Sequence, residues 1–219
     1  MSRNKYTTEV LGEFLTDFGL LFTRIEENVI EAVSDIKFAY CGIDFGSGSE
    51  NDFSVLSIFN EKGEMYAIHR TNNLSPMQQV DWLCGLLIDL SKKCKIAHIN
   101  AEKNSIGSVY IDAMNMRLLP LGIKITEWNT SNSSKQDLVT TFQIALENDE
   151  VKILRNDILL NELRRYEAEI SPNSKVIKYN GRNCHDDCVM ATLMAYFGLK
   201  SKVGAYVVTS INRTIKKRF

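Results

Sequence analysis

Four acidic side chains in this sequence stand where a protein could put them to chemical use. Asp44 closes the short apolar run Phe38-Ala39-Tyr40-Cys41-Gly42-Ile43. Glu102 follows a second such run, Ile96-Ala97-His98-Ile99-Asn100-Ala101. Asp186 and Asp187 precede a third apolar stretch that reaches Leu199. Each position is the end of an expected strand or the start of an expected helix. In α/β sheets functional groups gather at such positions on one rim. Carboxylates that converge repel one another, and one of them is driven towards protonation unless a cation is present. Hard carboxylate oxygens suit Mg²⁺ or Mn²⁺. Two such ions a few Å apart can activate water and stabilise a leaving oxygen in phosphodiester hydrolysis. Each acid also has a purely structural reading. Asp44 could serve as a turn residue before glycine-rich sequence. Glu102 could complement a helix dipole, and Asp186 and Asp187 could be helix N-caps.

The elements that would position these residues follow from periodicity. Residues 1–37 read as an acidic helical extension, with Ile25, Val29, Ile30 and Val33 on one face at helical spacing. Residues 38–71 read as a three-stranded antiparallel meander, with a hairpin turn at Glu61-Lys62-Gly63-Glu64. Ser75-Pro76 opens a helix that carries Val80, Leu83, Leu87 and Leu90 on its core side. A strand at 96–101 then leads into Glu102. Beyond it the spacing predicts a helix over 106–118, a strand over 123–128 and a helix over 134–148. A short extended piece at 151–154, a helix over 157–169, a strand or hairpin arm at 176–179 and an apolar helix from His185 to Leu199 complete the chain. A meander followed by alternating helices and strands predicts a mixed α/β sheet with helices on both faces. Residues 38–219 would form that domain.

The chain has 219 residues, 26 Lys+Arg against 27 Asp+Glu, and 44% apolar residues. Length and composition fit one folded domain with an extension and exclude a chain disordered throughout. No apolar run is long enough to span a bilayer, and the first residues carry no apolar signal core, so a cytoplasmic protein without membrane contact is expected. Five cysteines, an odd number, read as reduced thiols. Cys184-His185-x-x-Cys188 has zinc-like spacing, but no second short-spaced pair completes four ligands. The net charge of -1 argues against a nucleic-acid partner, yet it averages two unlike ends. Residues 1–37 sum to -3, whereas residues 171–219 carry nine basic side chains against two acids, a net of +7. Lys175, Lys178 and Arg182 lead directly into the Asp186-Asp187 pair, and Lys103 adjoins Glu102; all four are candidates for phosphate contacts.

The ordered set Cys41-Gly42-Ile43-Asp44-Phe45-Gly46, Glu102-Lys103-Asn104-Ser105-Ile106-Gly107 and His185-Asp186-Asp187-Cys188-Val189-Met190-Ala191 resembles the nuclease domain of large terminase subunits, the DNA-packaging motors of tailed phages. Thr8-Glu9-Val10-Leu11-Gly12-Glu13-Phe14 is similar to the stretch that leaves the terminase ATPase domain. The resemblance implies a ribonuclease H-like fold. It implies a two-metal endonuclease that uses Mg²⁺ or Mn²⁺ to cut double-stranded viral concatemers, leaving a 3′-hydroxyl and a 5′-phosphate. It implies Asp44, Glu102 and Asp187 as catalytic metal ligands and Asp186 as a further ligand or near-site acid. Asn104 would orient the Glu102 segment, and Gly107 would permit close helix packing. His185 would either help to move protons or simply flank the helix at the surface. The implied partners are DNA, a terminase ATPase domain, the small terminase subunit and the portal, in the host cytoplasm.

The sequence contains no Gly-x-x-x-x-Gly-Lys-Ser/Thr phosphate loop, so ATP hydrolysis is not expected of it. It would be an excised nuclease domain, a separately encoded half or a standalone relative. Three alternatives stay open. Another ribonuclease H-like nuclease, of the Holliday-junction resolvase or transposase type, would use similar ligands on a different DNA. An actin-like ATP-binding protein would explain Gly42-Ile43-Asp44-Phe45-Gly46-Ser47-Gly48 as a phosphate loop, but it needs a second domain and a second Asp-x-Gly. A non-catalytic interaction module would leave the carboxylate set unexplained.

Overall fold

The computed structural model describes residues 21–47, 52–103, 107–170 and 177–215. The Thr8–Phe14 stretch, Asn104, Lys175 and the terminal Lys216-Lys217-Arg218 lie outside the described residues.

The helix expected over Ile25–Val33 is not formed. Arg24 takes a left-handed backbone conformation (φ 58°) that no α-helix continues through. A single 3-10 turn at Glu26–Asn28 follows. Strand β1 (Val29–Ile30) then pairs in parallel with Ile153 and Leu154. The buried Asn28 amide donates to the carbonyls of Arg24 and Leu146, and its oxygen accepts from Lys152. These non-local bonds outweigh the local helical period, and β-branched Val29 and Ile30 suit the strand. The segment is packed against the core: Phe22 stacks on Tyr166 and meets Phe142 edge-on, each with ring centroids 5.6 Å apart.

The meander forms as its sequence predicts. Strands β2 (Phe38–Asp44), β3 (Ser54–Phe59) and β4 (Met65–Thr71) are antiparallel neighbours. Helix α1 (Pro76–Ser91) starts on a capping box between Ser75 and Gln78 and leads to β5 (Lys95–Glu102). β5 lies parallel to β2 on the side away from β3. Helix α2 (Gly107–Leu118) leads to β6 (Thr126–Trp128), parallel to β5. The five-stranded order is therefore β4-β3-β2-β5-β6. Next come α3 (Asn132–Glu147), β7 (Ile153–Leu154), which is the partner of β1, and α4 (Asp157–Arg164). The helix expected to run on to residue 169 stops there. Tyr166–Ile170 is instead strand β8, paired antiparallel with β9 (Ile177–Gly181). Tyr166 and Ala168 are both buried, a two-residue period that a helix cannot satisfy. The last helix, α5, spans Asp187–Ile215.

Alternation along β2 separates the two faces of the sheet. Ala39, Cys41 and Ile43 pack with Val80, Leu83 and Leu87 of α1 and Ile111 and Met114 of α2. Tyr40 packs on the other side with α3, α4 and α5. Gly42 lies on that second side, directly beneath α5. A Cβ there would stand 2.0 Å from the Ala191 carbonyl oxygen and 2.5 Å from the Ala195 amide nitrogen. Only glycine lets the helix backbone lie this close to the strand. The Asn100 side-chain amide, on neighbouring β5, donates to the Met194 carbonyl and holds α5 to the sheet a second time. All five cysteines are free, and none of the described helices is long and apolar enough to cross a membrane.

Candidate active site

The packing of α5 on β2 brings the acids together. Asp44 lies two residues beyond Gly42 on the same face of β2, about 6.6 Å further along the strand. Asp187 lies one turn before Ala191, about 6 Å back along the helix. Starting from the Gly42–Ala191 contact, the two paths end at the same rim. Glu102 reaches that rim by register. Gly42 pairs with Asn100 and Ile43 with Ala101, so the next residues, Asp44 and Glu102, end two adjacent parallel strands on one face.

The electrostatics report this convergence. Asp44 is only 7% exposed. Burial, then the charge of Glu102, a hydrogen bond shared with Glu102, and the charges of Asp187 and Asp186 drive its carboxyl well above the usual range. Asp187 is pushed up to about 6, first by burial and then by the charge of Asp52. A hydrogen bond from the Phe53 amide to Asp187 Oδ2, at 3.3 Å, works against that shift.

Asp186 is the N-cap residue of α5 by its main chain, since its carbonyl accepts from the Met190 amide at 2.8 Å. Its carboxylate is engaged elsewhere, accepting from Lys135 Nζ of α3 at 3.2 Å. His185 is half exposed, edge-on to Phe53, with Nδ1 3.9 Å from Asp187 Oδ2. Phe53 is also covered by Arg70, whose guanidinium carbon lies 3.2 Å from the ring centroid. Gly107 is buried at the start of α2. Lys103 forms an ion pair with Glu127 across β5 and β6. Lys178 is exposed on β9, and Arg182, just beyond it, is exposed with a loose ion pair to Glu167 at 3.9 Å.

Three contributors escape the sequence reading. Asp52, just before β3, lies near enough to Asp187 for its charge to act there. The Ser47 amide donates to Asp52, the Gly46 amide donates to Ser54 Oγ at 2.9 Å, and the Ser54 hydroxyl donates to Gln79. Lys135 reaches the rim from a helix entered through a Ser/Asn-rich loop. Glu162, in α4, lies beneath the first turn of α5, where its Oε2 accepts from the amides of Cys188 and Val189. No local pattern marks any of the three; each arrives by tertiary contact.

The donor set consists of hard oxygens and fits a small divalent cation, whose charge would remove the repulsion that raises Asp44 and Asp187. Among the described residues no three His, Cys, Asp or Glu side chains are already grouped in ligating geometry. The Asp186 carboxylate is held by Lys135 and the Asp187 carboxylate by the Phe53 amide.

The family model for the terminase RNase H-like domain matches residues 41–199. Among solved structures, the large terminase nuclease of the thermophilic phage G20c with bound magnesium is similar at 24% identity and a TM-score of 0.67, with 82% of this chain and 97% of that chain covered. The large terminase nuclease domain of Thermus phage P74-26 is similar at 24% identity and a TM-score of 0.62, covering 80% and 93%. The large terminase of bacteriophage HK97 is similar at 12% identity and a TM-score of 0.58, covering 88% of this chain but 46% of that longer one. Comparison with curated proteins gives no match. With the five-stranded mixed sheet, the acidic rim and a family match from Cys41 to Leu199, this chain belongs to the terminase RNase H-like domain family.

Proposed function

We propose that this chain is the endonuclease of a viral DNA-packaging motor and hydrolyses phosphodiester bonds of double-stranded DNA with two Mg²⁺ or Mn²⁺ ions. One observation carries the reading: Asp44 is buried at the end of β2 beside the end of β5, where the charges of Glu102, Asp187 and Asp186 all act on it, an arrangement costly without a cation. The similar nuclease of phage G20c is known with magnesium and with cobalt.

In this reading Asp44, Glu102 and Asp187 are the ligands and Asp186 is a further ligand or near-site acid. When bound, the ions supply the charge that activates a water and stabilises the leaving oxygen. The protein's own residues do the remainder. The Phe53 amide orients the Asp187 carboxylate. Lys135 holds Asp186 against the rim and keeps part of its charge neutralised. His185, half exposed beside Asp187, would either help to move protons or simply flank the helix. Lys178 and Arg182 lie on the exposed side leading to α5, where a DNA backbone would approach, joined by Lys103 when it exchanges Glu127 for phosphate. Asn104 and Gly107 keep the roles the resemblance implies for them, and Lys175 keeps the phosphate contact expected from its place in the basic run before Asp186.

The motor that this nuclease serves would contain an ATPase domain, a small terminase subunit and a portal, acting in the host cytoplasm on concatemeric DNA. Residues 1–37 would be the connection towards the ATPase domain and residues 38–219 the nuclease. The test is plasmid cleavage with Mn²⁺, with and without EDTA, for wild type, Asp44→Ala and Asp187→Ala. Cleavage is expected in the wild type with Mn²⁺ alone, and a loss of about 100-fold or more in either variant. Cleavage that persists in both variants would overturn the assignment.

A further inference from the structure

A helix leaves its first amide groups without partners inside the helix, and an aspartate at its start ordinarily satisfies them with its own carboxylate. That is the structural reading of Asp186 and Asp187, and α5 does not adopt it. The Asp186 carboxylate turns to Lys135 and the Asp187 carboxylate to the Phe53 amide. The free amides of the first turn are satisfied by a side chain from a different helix. Glu162 of α4 accepts from Cys188 N at 2.9 Å and from Val189 N at 3.2 Å through one oxygen, Oε2.

Glu162 is not a surface acid that happens to lie nearby. It is 3% exposed, and it is flanked in α4 by the buried Leu159, Leu160 and Leu163. Its second oxygen, Oε1, is buried with no hydrogen-bond partner among the described residues. Leaving a carboxylate oxygen unsatisfied in the core is costly, and such a group persists where its other bonds do something useful. An apolar residue here would fit the rest of the helix face at no such cost.

We propose that Glu162 is a positioning residue: by capping α5 from outside, it releases the Asp186 and Asp187 carboxylates from capping duty and fixes the direction in which they face Asp44 and Glu102. Without this external cap, an aspartate at the helix start is the ordinary acceptor for amides at the Cys188 and Val189 positions. Turning either inward removes an oxygen from the acidic rim. The role rests on the metal reading of those acids, and it assigns Glu162 no contact with metal or DNA.

The test uses the whole chain and three substitutions, Glu162→Gln, Glu162→Leu and Glu162→Asp. Gln keeps an acceptor at the same reach, Leu has the size without an acceptor, and Asp keeps the charge but withdraws it. Amide hydrogen exchange at Cys188 and Val189 in metal-free protein reads the cap. Calorimetric Mn²⁺ affinity reads the positioning, and thermal melting reads stability. Leu and Asp are expected to speed exchange at these two amides and to weaken Mn²⁺ binding by about 10–100-fold, the range seen when the support of a metal ligand is removed. Gln is expected to stay within a few-fold of wild type in both. If Leu prevents folding, the Gln–Asp pair carries the same comparison. Unchanged exchange in Leu and Asp overturns the cap. Faster exchange with unchanged Mn²⁺ affinity, whatever the melting temperature, overturns the positioning role. A wild type that binds no Mn²⁺ overturns the metal reading and the positioning role that rests on it, while the exchange arm, which needs no metal, still decides the cap.

Discussion

Asp187 is held at about 6 against an ordinary carboxylate value of 3.8, mainly by burial and the charge of Asp52. Raising a carboxyl in the folded state favours its protonated form. The associated stability is therefore complete below about pH 4 and is lost as pH rises through about 6. The shift in Asp44 has the same sign, with burial its first cause. In EDTA the wild type is expected to lose about 2 kcal/mol relative to Asp187→Asn between about pH 4.5 and pH 8, read from paired thermal melts. Adding Mn²⁺ at the upper end of that range should restore the loss in the wild type and not in the variant. A wild type and variant with parallel pH profiles would show that Asp187 is not confined as described. At this scale the sequence is informative about one kind of residue only. Asp44, Glu102, Asp186 and Asp187 are legible because a carboxylate at the end of an apolar run is unusual, and the runs themselves are visible. Asp52, Lys135 and Glu162 are not, because their role depends on which loop or helix folds beside them.

Among the elements, the contact between β2 and α5 sets the geometry of the site, and Gly42 sets that contact. A methyl group at this position would collide with backbone atoms of Ala191 and Ala195, which cannot move aside as a flexible side chain can. Gly42→Ala is expected to destabilise the fold by about 1–3 kcal/mol or more and to lift the first turn of α5 off the strand. Cleavage should fall further than the loss of folded protein explains, because Asp187 moves with the helix. The check is specific activity at a temperature where both proteins remain folded by circular dichroism. A substitution that lowers the melting temperature but leaves specific activity intact would separate the helix contact from the site. The meander and α1, α2 and α3 are readable within a few residues because their apolar periods and caps are local. Residues 25–33 and 166–169 depart from the helices their sequence predicts for a shared reason. Each has an acceptable helical period but is captured by a strand partner elsewhere in the chain, Ile153-Leu154 for the first and Ile177–Gly181 for the second.

For the whole molecule, the net charge of -1 is the least informative number in the sequence. A phosphate group senses charge only within about 10 Å at moderate salt, so distant acids do not cancel a local basic patch. What matters is which cations are free to meet DNA beside the acidic rim. Lys103 is tied to Glu127, and Lys135 to Asp186. Lys178 and Arg182 stand exposed on and just beyond β9, Arg182 with a weak contact to Glu167. Each phosphate contact contributes about 0.9 to the slope of log affinity against log salt. The double variant Lys178→Glu/Arg182→Glu is therefore expected to weaken duplex binding at low salt and to reduce that slope by about 2, measured by fluorescence anisotropy in EDTA over a KCl series. Lys103→Glu should change the slope by less than about 1, because its ammonium must first leave Glu127. A double variant with the wild-type slope would remove Lys178 and Arg182 from the DNA path.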